Sequence, residues 1–236
     1  MPEVITALDV ENREEALTLV RELSGTIDFF KVGSRLFTAE GPSMVEELRE
    51  AGARIFLDLK FHDIPATVAG SVRAATALGV KMMTLHASGG LEMMSAAARA
   101  AGESAEKLGI ERPLLVGVTV LTSLSRDDIS ASLSAGEQLS DLVLRLALRA
   151  REAGLDGIVA SVEEARPVKD RIGREFLVVT PGIRPAGSET GDQKRVATPR
   201  KAADAGSDYL VVGRPIIRAA SPVEAAAAIL AELRSS

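Results

Sequence analysis

A chain of 236 residues that is 46% hydrophobic and 26% charged has material for one large domain with a single core, and this composition excludes a disordered chain. Its net charge of −5 argues against a broad nucleic-acid surface, and the absence of cysteine excludes disulfides and thiolate metal sites. Charges from Glu3 to Glu15 read against a secretory signal, and apolar stretches such as residues 225–230 are too short to span a membrane, so a cytoplasmic protein is expected.

The first predicted strand covers residues 4–9, and Asn12 followed by Glu15 makes a capping-box-like start for a helix over residues 13–23. One pattern then recurs: an amphipathic helix, a glycine, and a short β-branched run that ends in polar residues. Gly25 precedes a strand at 27–33, Gly52 one at 54–60 and Gly79 one at 80–86. A fifth strand covers 114–119, and Gly154, Gly173 and Gly206 precede strands at 156–161, 176–181 and 208–213. Glycine just past a helix followed by a strand is the αβ junction of a parallel sheet. Pro42, Pro199 and Pro222 sit at or near the first turns of helices. Two connections exceed the usual length: 121–137 after strand 5, and 184–197 (RPAGSETGDQKRVA) after strand 7, a lid candidate.

Eight strands alternating with eight helices, without linker or low-complexity segment, predict an α/β fold, a single-domain (β/α)₈ TIM barrel over residues 1–236. With six Phe, one Tyr and no Trp, its core must be Val, Ile, Leu and Ala. A doubly wound sheet is the alternative, weakened in its dinucleotide-binding form because no Gly-x-Gly-x-x-Gly follows a strand.

Side chains alternate faces along a strand. Ile55, Leu57 and Leu59 suit packing against helices, which turns Phe56, Asp58 and Lys60 into the barrel; the same parity turns Asp9 and Lys31 inward. Asp9, Lys31, Asp58 and Lys60 should therefore converge on one mouth of three neighbouring strands. Burying such ions costs several kcal/mol each, so the array reads as functional rather than as a structural ion cluster, and alternating Lys and Asp suits proton delivery. Asp63 admits two readings, a site residue or a cap for the helix that begins at Pro65. Thr180-Pro181-Gly182-Ile183-Arg184 and Val211-Val212-Gly213-Arg214-Pro215 close strands 7 and 8, where barrel enzymes cradle phosphate. His62 and His86 have no His or Cys at ligand spacing, so no metal site is expected, and His86 reads as a wall residue sharing an inward parity with Met82 and Thr84. The Met82-Met83 and Met93-Met94 pairs read as packing.

Leu57-Asp58-Leu59-Lys60-Phe61-His62-Asp63-Ile64-Pro65 resembles the Asp-x-Lys-x-x-Asp motif of the orotidine 5′-phosphate decarboxylases. The likeness runs the length of the chain through Ala7-Leu8-Asp9, Lys31-Val32-Gly33, Val118-Thr119-Val120-Leu121-Thr122-Ser123, and the segments at Arg184 and Arg214. It implies conversion of orotidine 5′-phosphate (OMP) to UMP and CO₂ in pyrimidine biosynthesis, without cofactor or metal, by a homodimer that needs no nucleic acid or membrane. By resemblance, Asp9 and Lys31 hold the ribose hydroxyls, Asp58 sits beside the substrate carboxylate and Lys60 protonates C6. Asp63, Ile64 and Thr67 are lent by the other subunit, Thr122 lies against the nucleotide, and Ser125 reaches the pyrimidine. Arg184, Gly213 and Arg214 bind phosphate, and Gln193 in the lid bridges phosphate and base. Two alternatives are a metal-dependent 3-keto-gulonate 6-phosphate decarboxylase or hexulose-phosphate synthase, which places a Glu ligand where this chain has Lys31, and a non-catalytic phosphate-binding barrel.

Overall fold

β-Branched runs buried on both faces need helices on one side and one another on the other, and closing the sheet satisfies both demands. The computed structural model describes residues 1–124, 128, 138–185 and 197–234. Its elements run β1 (Glu3–Ala7), α1 (Arg13–Leu23), β2 (Phe29–Gly33), α2 (Ser34–Glu40), α3 (Pro42–Glu50), β3 (Arg54–Phe61), α4 (Pro65–Ala77) and β4 (Met82–His86). A 3-10 turn (Ala87–Gly89) leads into α5 (Gly90–Leu108), β5 (Leu114–Val118), α6 (Leu139–Glu152), β6 (Gly157–Val159) and α7 (Val162–Ile172). Then follow β7 (Leu177–Thr180), α8 (Pro199–Asp204), β8 (Tyr209–Val212), α9 (Arg214–Ile217) and α10 (Pro222–Arg234).

The eight strands pair in sequence order, and β1 pairs with β8 from Glu3 against Tyr209 to Thr6 against Val212, so the sheet is a closed parallel barrel. The doubly wound alternative is excluded. Each strand lies within two residues of its expected ends. One helix per strand is corrected in two places. After β2 the segment breaks at Gly41, whose φ of 72° ends α2 while Pro42 starts α3. After β8 the short α9 precedes α10. The predicted cap is present: Asn12 Oδ1 accepts from the Glu15 amide at 3.0 Å.

The core has two layers. Ile5, Ala7, Phe29, Phe56, Met82, Val116, Val179 and Val211 fill the barrel, while Ile55, Leu57, Val32 and Leu85 pack outward against the helices. Phe56 inside and Ile55 and Leu57 outside is the parity expected for β3, and all four paired methionines are buried. At the N-terminal end of β3, Arg54 lies 4.7 Å over the Phe29 ring and pairs with Asp28 and Glu3. Its hydrogen bond to Asp28 raises the guanidinium pKa further. Chemistry in barrels of this kind is carried at the opposite, C-terminal mouth.

Candidate active site

At that mouth the strand ends deliver four charges in a row. Lys31 Nζ lies 3.3 Å from Asp9 Oδ1 and 3.5 Å from Asp58 Oδ2, and Lys60 Nζ is 2.9 Å from both oxygens of Asp58. Lys31 and Asp58 are deep, each with 12% of the side chain exposed, while Asp9 and Lys60 lie nearer solvent. Burial alone would raise the Asp58 carboxyl, but Lys31 and Lys60, with hydrogen bonds from Lys60 and Thr84, hold it below the usual carboxylate range. Asp58 is thus a buried anion between two cations. Gly33 makes room for this: a Cβ there would stand 3.1 Å from Lys31 Nζ, although its backbone would suit any residue.

Strict alternation along β3 does not describe how Lys60 arrives. Phe56 and Leu57 stand against Met82 and Met83, yet Phe61 stands against Leu85. β3 therefore takes four steps, from 57 to 61, while β4 takes two, from 83 to 85. Within this bulge Lys60 has φ +52°, the only positive φ outside glycine among the described residues. Such a conformation costs roughly 1–3 kcal/mol and persists only where surroundings impose it. The Lys60 amide donates to Thr84 Oγ1 at 2.8 Å, and that hydroxyl donates to Asp58 Oδ1 at 3.0 Å. The sequence gives Thr84 only an inward parity; the signal available was a hydroxyl at an interior position of β4, among Met82, Met83 and Leu85.

Asp9, Lys31, Asp58 and Lys60 line a cavity of about 290 Å³ that is also lined by Thr122, Gly213, Arg184 and Arg214. Gly182, at φ +76°, turns the chain after β7, and the bridge between Ile183 and Ala197 ties together the described ends of the long loop. Arg184 is 9% exposed and its Nε has no hydrogen-bond partner among the described residues. Burial, then the neighbouring Arg214, lowers its pKa. A buried guanidinium with an open donor, beside a second guanidinium, is a seat for an anion. Residues 186–196, including Gln193 and most of the lid candidate, and Ser125 lie outside the described residues.

Three expected site residues stand apart from their own chain's cavity. Asp63, Ile64 and Thr67 are exposed, Ile64 at 66%. The capping reading of Asp63 is corrected: the N-cap of α4 is Ile64, no side chain caps it, and among the described residues Asp63 Oδ1 accepts from the adjacent Ile64 amide at 2.7 Å and from no amide of the helix. Asp63 is one residue too early, since a cap must reach an amide two or three positions on. The two histidines are also closer than their sequence spacing suggests, with ring centroids 5.1 Å apart. Burial, then His62 and Lys60, keeps His86 below the usual histidine range against the opposing pull of Asp58. Among the described residues no group of three His, Cys, Asp or Glu could hold a metal ion, and no helix is long and apolar enough to cross a membrane.

Known proteins match this chain over nearly its whole length. A protein from Vibrio cholerae named orotidine 5′-phosphate decarboxylase is 52% identical across 100% of this chain and 98% of its own. One of the same name from Moorella thermoacetica is 50% identical over 98% of this chain and 91% of its own. The crystal structure of orotidine 5′-phosphate decarboxylase from Lactobacillus acidophilus superposes with a TM-score of 0.87 at 37% identity, covering 100% of both chains. Residues 2–229 match the family model described as orotidine 5′-phosphate decarboxylase / HUMPS, and the chain belongs to that family.

Proposed function

We propose that this chain is a carboxy-lyase that decarboxylates OMP to UMP, without metal or organic cofactor, in a homodimer with shared sites. The observation that carries the reading is the buried Asp58 carboxylate held between Lys31 and Lys60 in a cavity that also presents Arg184 and Arg214. Relatives of this name match over nearly the whole chain, which supports the substrate.

The chemistry balances with these groups alone. The C6–carboxylate bond breaks heterolytically, CO₂ departs, and the electron pair stays on C6. Lys60 supplies both the positive charge against which that pair develops and the proton that forms the C6–H bond. Asp58 orients the Lys60 ammonium through two contacts of 2.9 Å, and Lys31 keeps Asp58 ionised. Asp9 and Lys31 take the ribose hydroxyls, Thr122 lies against the nucleotide, and Arg184, Arg214 and the Gly213 backbone take the phosphate, so binding energy remote from C6 orders the reacting end. Gln193 bridges phosphate and base, and the partner supplies Asp63, Ile64 and Thr67.

The metal-dependent sugar-phosphate reading asks for an acidic ligand at Lys31. An ammonium there, already paired with Asp9 and Asp58, repels a divalent cation. The deciding measurement is ultraviolet-monitored turnover of OMP before and after exhaustive chelation. Unchanged turnover is expected; loss that magnesium restores would transfer the assignment to the metal-dependent branch.

The anion seat has its own test. Arg214→Ala should lower kcat/KM for OMP by about 10- to 100-fold, the loss of a charged hydrogen-bonding partner. Turnover of the unphosphorylated nucleoside orotidine should hardly change. Equal loss on both substrates would make Arg214 a support of the fold.

A further inference from the structure

We propose that Thr84 is a positioning residue of this site, whose single hydroxyl holds the left-handed turn at Lys60 and the Asp58 carboxylate together, so that the Lys60 ammonium is aimed before substrate arrives. The inference rests on reading the site as a decarboxylase, and it concerns a residue on β4 that touches none of the reacting atoms.

The register of β3 and β4 makes Thr84 the pivot. Counting from Phe56 against Met82, residue 84 stands opposite Asp58; counting back from Phe61 against Leu85, it stands opposite Lys60. One β4 residue thus serves two β3 residues across the bulge. Its hydrogen-bond polarity follows from the partners. An amide can only donate, so Thr84 Oγ1 accepts from Lys60 at 2.8 Å; an ionised carboxylate can only accept, so the hydroxyl proton goes to Asp58 Oδ1 at 3.0 Å. Thr84 is 0% exposed, which makes each bond costly to leave unmade.

The consequence reaches Nζ. The Lys60 ammonium binds both oxygens of Asp58, so its location is inherited from the plane of that carboxylate and from its own backbone turn. Thr84 fixes both. A valine would fill the same space and keep the β-branched shape, yet it would free the carboxylate to rotate and orphan the Lys60 amide. A serine would keep both bonds and lose only a methyl group.

The test compares Thr84→Val with Thr84→Ser. A packing role ranks Val at least as good as Ser; a positioning role ranks Ser near wild type and Val far below it. We expect Thr84→Val to lower kcat roughly a hundred-fold, the effect of about an ångström of misplacement, with little change in KM. Thr84→Ser should restore kcat to within a few-fold. Two readouts do not depend on turnover: amide exchange at Lys60, protected in wild type and Ser but fast in Val, and titration of the Asp58 carboxyl, which should rise in Val. If the wild-type protein fails to decarboxylate OMP, the functional reading falls while these two readouts still judge Thr84. Wild-type kcat in Thr84→Val, or unchanged Lys60 protection there, would overturn the proposal. Should Thr84→Val fail to fold, exchange in the wild-type protein decides: a Lys60 amide that exchanges as a free amide refutes it, and a protected amide lost to exchange in Thr84→Ala supports it.

Discussion

Lys60→Ala should fold, bind UMP, and lose at least about 10⁴-fold in kcat, because one substitution removes both the proton donor and the charge that stabilises the developing carbanion. The fold should survive because Asp58 is not left alone: Lys31 remains 3.5 Å away and Thr84 still donates to its carboxylate. Removing one partner of a buried ion pair is severe when the other is stranded, which is not the case here. Three measurements check this: thermal unfolding, UMP affinity and single-turnover decarboxylation. Retention of more than about a tenth of wild-type kcat would end the role given to Lys60, since general acid catalysis alone contributes at least about 10²-fold.

The second large effect concerns Asp63. Among the described residues its one hydrogen bond is from the Ile64 amide, and an asparagine oxygen can accept that bond equally well. A purely local role therefore predicts that Asp63→Asn is mild. If Asp63 instead reaches the Lys31-Asp58-Lys60 array of a partner, the lost charge should lower kcat by about 10²-fold or more while stability holds. The exposure of Asp63, Ile64 and Thr67, which follow the end of β3 and enter the first turn of α4, supports the second outcome. Mixed dimers sharpen it. When Lys60→Ala and Asp63→Asn subunits are dissociated and recombined in equal amounts, each mixed dimer has one doubly defective site and one intact site. Random pairing makes about half of the dimers mixed, so roughly a quarter of all sites should regain wild-type function. No recovery in mixed dimers verified by mass would show that each site is built from one chain.

Much of this protein was legible from local covalent geometry. Period-2 alternation comes from the pleat of the backbone, so the inward direction of Asp9, Lys31 and Asp58 needed no knowledge of neighbours, and the strands themselves followed from β-branched runs set off by glycine. Barrel closure was an expectation only, because pairing Glu3 with Tyr209 joins residues from opposite ends of the chain, and nothing local distinguishes that from an open sheet. The turn at Lys60 was hidden altogether. A lysine has no intrinsic preference for φ +52°; the conformation arises because β3 must fit two extra residues against β4, and register is a property of the pair. For the same reason Thr84 looked like an interior wall residue until β4 was laid beside the bulge, and His62 and His86, separated by 23 positions between them, met only when the strands paired. Side-chain direction is decided within two residues, whereas register, closure and the partners of buried polar groups are decided by whichever strands come to lie side by side.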